Sequence, residues 1–255
     1  MDIPDIDIYV CGFPCQPFSI AGERKGFNDK RGNIFFNCLD VIKAKKPKIF
    51  ILENVKGILW HDKRRTFKII LEELDRLSSE LRSHGIDYKI IWKVLNTKDF
   101  GIPQNRERLF IIGIKSKNWI NSDLDFVWPS PIKCKNQIET YIDKKDTNKN
   151  IIPDRIIDSN YLQRLPSDSI FVDFGFYKYT TYPDSNKVCP CICTKQKHWC
   201  VPLNRYVNSK EYLSLQGFSK SFKQVVSNTQ MKKQIGNSMS VNVIKCLMIE
   251  CFKFL

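Results

Sequence analysis

Residues 6–19 read IDIYVCGFPCQPFS, an apolar run followed closely by a cysteine held between two prolines. IDIYV (6–10) has the length and the β-branched content of a buried strand. The prolines fix their own φ and restrict the residues before them, so GFPCQPFS (12–19) is neither a helix nor the middle of a strand. It is a rigid loop that presents one sulfur, Cys15, just beyond a strand end. Taken alone, that sulfur is either an inert buried thiol in a proline-rich turn or a nucleophile.

The stretches that follow alternate. NIFFNCLDVIKA (33–44) reads as a helix and KIFILE (48–53) as a second strand whose last residue is a glutamate. In RRTFKIILEELDRLSSELRSHG (64–85) apolar residues recur at 67, 70, 71, 74, 77 and 81, which is helical spacing, and Gly85 is a natural C-terminal stop. YKIIWKVL (88–95) and RLFIIGI (108–114) are two further strands. This β-α-β-α-β order predicts a mostly parallel, doubly wound α/β sheet, whose ligands sit outside the carboxyl ends of its strands. Cys15 follows the first strand, and Glu53 ends the second within ILENVKGIL. Gln104, Arg106 and Arg108 lie between the third and fourth strands in FGIPQNRERLF. A glutamate at a strand end is commonly a cap or an ion-pair partner, and QNRER alone is an ordinary charged turn. The ordered set carries the information.

Composition bounds the setting. The 255 residues are enough for a sizeable core, with 42% hydrophobic and 27% charged residues as in soluble globular proteins. No apolar run approaches a membrane span, and MDIPDID is not a signal peptide, so a cytoplasmic protein of bacterial type is expected. Most of the ten cysteines sit in apolar runs such as KCLMIECF, which favours reduced thiols over a disulfide scaffold. The net charge of +14 suits a polyanionic partner. Residues 195–235 carry Lys195, Lys197, Arg205, Lys210, Lys220, Lys223, Lys232 and Lys233 against the single acid Glu211. Trp199, Tyr206, Tyr212, Phe218 and Phe222 interleave with them, which favours a nucleic-acid surface over a merely solvated basic face.

KVCPCICTKQKHWC (187–200) invites a metal reading, but zinc ligands are usually spaced C-x₂₋₄-C. Strict alternation places Cys189, Cys191 and Cys193 on one face of a strand instead, and no metal is expected. His61 and His84 are expected to have no catalytic role, and Asn208 with Glu211 fits a helix cap and its reciprocal partner.

The set as a whole resembles the DNA cytosine-5 methyltransferases. GFPCQPFS is similar to the catalytic loop of that family, ENV (53–55) to its glutamate motif and PQNRERLFIIG (103–113) to its arginine motif. NRYVNSKEYLSLQGF (204–218) resembles the segment after the target-recognition region, and KQIGNSMSVNVI (233–244) the closing motif near the cofactor. The resemblance implies a partial doubly wound, Rossmann-like methyltransferase sheet with a smaller target-recognition region. The expected division is a catalytic domain at 1–114, target recognition at 115–200 and a return to the catalytic domain at 201–255.

What the resemblance implies for chemistry is specific. Cys15 would add to C6 of cytosine as a thiolate, which makes C5 nucleophilic. Glu53 would protonate or hydrogen-bond N3, while Arg106 and Arg108 would hold the base carbonyl and order the site. Asn54 and Gln16 would support the loop. The base must leave the duplex to be reached, and SIAGERKGFNDKRGN (19–33) would close over it. Gln16, Ser19, Arg24, Lys195, Lys197, Lys220 and Lys232 are the expected DNA contacts. S-adenosyl-L-methionine is the implied cofactor, with Pro14, Ile34, Asn237 and Ser238 lining one side of its pocket.

Yet only fourteen residues precede Cys15, and no FxGxG-like turn occurs in the chain. In the family, strands carrying that turn and the acidic residues for the ribose come before the cysteine loop. Without them IDIYV becomes an exposed apolar sheet edge. The expected partners are therefore double-stranded DNA and a second polypeptide supplying the cofactor half. A truncated product, a DNA-binding remnant without activity and an RNA cytosine-5 methyltransferase stand as alternatives.

Overall fold

The computed structural model of the protein describes residues 3–14, 34–120, 125–175, 177–178, 187–195 and 197–255. The chain divides into two compact units, residues 1–95, 107–129 and 246–255 forming the first and 96–106 with 130–245 the second.

In the first unit β1 (Ile8–Gly12) leads through α1 (Ile34–Lys45) to β2 (Ile49–Val55), and the two strands pair in parallel. The strand expected at 6–10 thus begins two residues later. β2 is apolar on both faces and buried along nearly its whole length, as expected of a central strand covered on both sides. α2 (Arg65–Arg82) buries Phe67, Ile70, Leu74, Leu77 and Leu81, the stripe that the helical spacing predicts. It ends as expected at Gly85, whose φ of 71° belongs to the left-handed region, with the Ile86 amide donating to the Leu81 carbonyl at 3.1 Å. β3 (Tyr88–Asn96), β4 (Glu107–Lys115) and the short α3 (Ser116–Ile120) follow.

The sheet order is β1-β2-β4-β3, with β4 antiparallel to β2. The sheet is therefore mixed rather than mostly parallel, a correction with a simple cause. A parallel crossover needs a long connection, usually a helix, and residues 97–106 between β3 and β4 hold only one short 3₁₀ turn. Among the described residues β1 stands at one edge of the sheet, with Val10 40% exposed. One core joins α1 and α2 to one face through Phe35, Leu39, Ile42, Phe50, Leu52, Ile70, Leu74 and Ile111.

The second unit has little regular structure. After α4 (Asp154–Ile157), three short strands β5 (Phe171–Asp173), β6 (His198–Cys200) and β7 (Arg205–Tyr206) form an antiparallel sheet. α5 (Ser209–Leu215), α6 (Asn228–Asn237) and α7 (Val241–Cys251) complete the element order, α7 running from this unit into the last residues of the first. α5 opens with the predicted reciprocal cap between Asn208 and Glu211. The Glu211 carboxylate is also gripped by both terminal nitrogens of Arg205, at 2.8 and 2.9 Å, with both side chains about 1% exposed.

Two sequence readings are corrected here. Residues 189–193 are not a strand: Cys189 forms one isolated bridge to Gln104, and Ile192 rather than Cys191 takes the next buried position. The aromatic interleaving of 195–235 is partly core: Trp199, stacked on Phe174 at 5.0 Å, and Tyr212 are buried, Tyr206 and Phe218 are half-buried, and Phe222 is exposed. Arg205 likewise leaves the basic surface, because its charge is spent inside on Glu211. Every described cysteine is a free thiol, and no group of three or more His, Cys, Asp or Glu side chains among the described residues is placed to hold a metal ion. No described helix is long and apolar enough to cross a membrane.

Packing between β2 and β4 is tight enough to test. Gly113 pairs with Phe50, and a Cβ at Gly113 would overlap the Phe50 ring. That ring is 1% exposed and lies 5.2 Å from the Tyr88 ring, so it has nowhere to swing. Gly113→Ala should therefore destabilise the protein by about 1–3 kcal/mol, the usual cost of overpacking. The urea midpoint measures this, and Phe50→Leu in the same chain should recover part of the loss. An unchanged midpoint would contradict the packing.

Candidate active site

The parallel pairing of β1 with β2 aligns Gly12 with Glu53. Both strands therefore end at one edge of the sheet, where a βα unit places its ligand-facing residues. The chain leaving β1 is held there twice. The Phe13 side chain is buried and its ring centroid lies 5.4 Å from that of Phe35, while the Asn54 amide donates to the Phe13 carbonyl at 3.3 Å. Asn54 thus ties the end of β2 to the start of the proline loop, the supporting role expected of it. Pro14 follows, half-buried. Cys15, Gln16, Ser19 and Arg24 lie outside the described residues.

Glu53 is 8% exposed. Its Oε1 lies 3.1 Å from Nε of Arg108, which reaches it from β4. The register explains the meeting: Val55 pairs with Arg108 and Glu53 with Phe110, so the two side chains lie diagonally across neighbouring strands. Arg108 also donates to the Glu107 carbonyl at 2.8 Å, and Lys56 pairs with Glu107 at 2.7 Å beside it. A carboxylate and a guanidinium are thus held together, mostly out of water, at the end of β2, in register with the end of β1 that leads towards Cys15. Lys56 and Glu107 were not singled out in the sequence, where each looks like any surface charge.

Arg106 belongs to the second unit and is occupied differently. It is 3% exposed, and its terminal nitrogens donate to the carbonyls of Ile192 at 2.5 Å, Ser238 at 2.7 Å and Gly236 at 3.3 Å. Gln104, fully buried, donates to the Leu215 carbonyl at 2.7 Å and to the Gln216 side chain at 2.8 Å. Gln216 in turn donates to the carbonyls of Ile235 and Ser238. Ser240 donates to Gln216, and its hydroxyl lies 2.7 Å from that of Thr97. These side chains fasten the turn at 236–240 from several sides. Gly236 is required there, because a Cβ would meet the Cys193 backbone. This network escapes sequence reading, since Gln216 and Thr97 carry no local signature and meet only through the fold.

Of the residues expected to line a cofactor pocket, Pro14 and Ile34 fall in the first unit and Asn237 and Ser238 in the second. Ile34 and Asn237 are exposed. The Ser238 hydroxyl donates to the Ile235 carbonyl at 2.8 Å, and its own carbonyl accepts from both Arg106 and Gln216. None of the four is acidic, so they do not fit a nucleoside ribose on their own. Of the expected DNA contacts that are described, Lys195, Lys197 and Lys220 are exposed. Lys232 is half-buried with its ammonium 5.7 Å from the centre of the Tyr212 ring, and burial lowers its pKa.

Comparison with known proteins places this geometry. The family model of the C-5 cytosine-specific DNA methylases matches residues 1–253. The type II methyltransferase M.SsoII of Shigella sonnei is 37% identical over 251 residues, covering 96% of this chain and 64% of its own length. The type II methyltransferase M.HaeII of Haemophilus aegyptius is 38% identical over 253 residues, covering 96% of this chain and 74% of its own length. The chain thus spans less than two thirds of the first relative. Among solved structures, the Entamoeba histolytica methyltransferase EhMeth superposes with a TM-score of 0.62 at 22% identity, over 96% of this chain and 77% of that one, a likeness of fold. By the match along nearly its whole length, the chain belongs to the C-5 cytosine-specific DNA methylases.

Proposed function

We propose that the chain carries the catalytic and DNA-reading part of an enzyme that transfers a methyl group from S-adenosyl-L-methionine to C5 of cytosine in duplex DNA. The observation that carries this reading is the Glu53–Arg108 pair at the carboxyl end of β2, in register with the strand that leads to Cys15. Cytosine C5 is a weak nucleophile until something adds to C6. Cys15 adds as a thiolate, forming the S–C6 bond, while Glu53 supplies a proton or hydrogen bond to N3. Arg108 holds the Glu53 carboxylate in the resting site and donates to the base carbonyl when cytosine binds. When bound, S-adenosyl-L-methionine supplies the electrophilic methyl. Loss of the C5 proton then expels Cys15. The target base enters by flipping out of the duplex, because C6 and N3 are inaccessible within it.

The two arginines divide the work. Arg106 acts as a positioning residue, since its donors are committed to three backbone carbonyls. Residues 115–200 choose the sequence, and the lysines Lys195, Lys197 and Lys220 track phosphates with Lys232 beside them. Gln16, Ser19 and Arg24 contact the DNA from the loop side. In the first unit, Pro14 and Ile34 contribute to the wall for the methyl donor. The rest comes from a second polypeptide whose strands add to β1. Its support is the open edge of β1 among the described residues, with Val10 exposed.

The test is tritium transfer from labelled S-adenosyl-L-methionine to duplex DNA by the chain together with its candidate partner. Cys15→Ser should abolish transfer and leave DNA binding intact; transfer surviving that change would overturn the assignment. Arg108→Lys keeps a charge beside the mostly buried Glu53 but lacks the forked donors, and should lower the rate about 100-fold or more with little effect on unfolding. Arg106→Ala should instead lower stability by about 2–4 kcal/mol, because it takes the guanidinium from the carbonyls of Ile192, Gly236 and Ser238, of which the last keeps a donor in Gln216. Equal stability losses for both would contradict this division. Lys220→Ala should lower the magnitude of the salt dependence of DNA binding by about one counterion, and an unchanged slope would place the phosphates elsewhere.

A further inference from the structure

The Sγ atom of Cys11, on β1, lies 3.4 Å from the Sγ atom of Cys38, on α1. Neither belongs to the chemistry described above. Cys38 is 2% exposed, while Cys11, on the edge strand, is only half-buried and within reach of a small oxidant. Tyr9 lies two residues earlier on the same face of β1 and hydrogen-bonds to Cys11. The hydrogen bond from Cys38, reinforced by that from Tyr9, lowers the Cys11 thiol to about 6, against the opposing effects of burial and of the nearby Glu53 charge. The same contact and burial push the Cys38 thiol up. One sulfur is poised as a thiolate and the other as its protonated donor.

We propose that Cys11 and Cys38 form an oxidisable dithiol whose disulfide ties β1 to α1 across the segment that carries Cys15. The oxidant is a hydroperoxide. The Cys11 thiolate attacks the terminal peroxide oxygen, breaking the O–O bond and leaving a sulfenic acid and hydroxide or alkoxide. Cys38 Sγ then attacks Cys11 Sγ and expels hydroxide, which takes the Cys38 proton and leaves as water. Two electrons pass from the sulfurs to the peroxide. The disulfide needs the sulfurs to close to about 2.05 Å, a shift of a little over an ångström. That shift falls next to Gly12, at the end of the strand that aims the proline loop. The bond closes a ring between residues 27 apart in sequence, all in the first unit. An ångström of misplacement at a reacting group costs on the order of 100-fold in rate, so closure should slow Cys15. This consequence rests on Cys15 being the nucleophile; the dithiol itself does not.

The experiment uses the full chain, reduced and then treated with one equivalent of hydrogen peroxide before alkylation with iodoacetamide, digestion and mass spectrometry. A peptide joining Cys11 to Cys38, lighter by two hydrogens, is expected. Cys38→Ser should give no such peptide and leave Cys11 as a sulfenic acid that dimedone labels. Alkylation of both cysteines after peroxide, or linkage of Cys11 to a different cysteine, would overturn the proposal. A second measurement follows the rate at which iodoacetamide labels Cys15. It should fall at least about tenfold in the disulfide form, return with dithiothreitol, and stay unchanged by peroxide in Cys38→Ser. Equal rates in the two forms would overturn the tie to the loop. A Cys15 that resists labelling even in reduced protein would instead speak against its role as nucleophile, with the cross-linked peptide still deciding the dithiol.

Discussion

The parallel pairing of β1 with β2, in the register that sets Gly12 beside Glu53, is the constraint on which the first unit depends. A slip of one residue would turn every side chain of β1 to the opposite face. It would carry Cys11 away from Cys38 and move Phe13 off the ring of Phe35. It would also take the Phe13 carbonyl from Asn54, whose side chain helps hold the start of the proline loop. β4 adds the second half of the arrangement by running antiparallel on the other side of β2, which brings Arg108 across to Glu53. The central strand thus presents an acid fixed by one neighbour and aligned with the other.

The second unit is organised by different means. Its strands are two or three residues long, so ladder hydrogen bonds are few and side chains take over the task of satisfying buried backbone. Two buried guanidinium groups take a large share of this. Arg106 collects three carbonyls around the 236–238 turn, and Arg205 joins Glu211 to the carbonyls of Asp143, Asp146 and Tyr206. Hydrogen bonds to a charged group contribute roughly 1.5–3 kcal/mol each, more than those between neutral groups. Removing either arginine would leave several buried acceptors without donors. Loop-rich architecture of this kind tolerates changes in surface sequence while its few polar anchors stay fixed.

Much of this was legible in the sequence, for reasons that can be stated residue by residue. The stripe of Phe67, Ile70, Leu74, Leu77 and Leu81 specified α2, Gly85 its end, and Asn208 with Glu211 the start of α5. The order of Cys15, Glu53, Arg106 and Arg108 was enough to indicate the family. Strand direction was not legible, because apolar periodicity says which residues face the core and nothing about polarity along the sheet. Alternation at Cys189, Cys191 and Cys193 mimicked a strand where Arg106 and Gln104 hold an irregular segment. Counting lysines, arginines and aromatics cannot separate a surface from a core, so Arg205, Trp199 and Tyr212 were read as exposed when they are buried. Asp62, Lys63 and Arg64 take left-handed conformations in succession ahead of α2, without the glycine or asparagine that would announce them.

The central claim is that Glu53, fixed by Arg108, and Cys15, carried by the strand in register with it, act on one cytosine. The most direct measurement is a crystal structure of the protein, with a candidate second polypeptide and S-adenosyl-L-methionine, trapped on duplex DNA containing 5-fluorocytosine. Fluorine at C5 cannot leave as a proton does, so the adduct persists after methyl transfer. The account predicts an extrahelical base joined through C6 to Cys15 Sγ, with a Glu53 carboxyl oxygen about 2.6–3.2 Å from N3. A base bonded to another residue, or one whose N3 lies beyond hydrogen-bonding reach of Glu53, would contradict it.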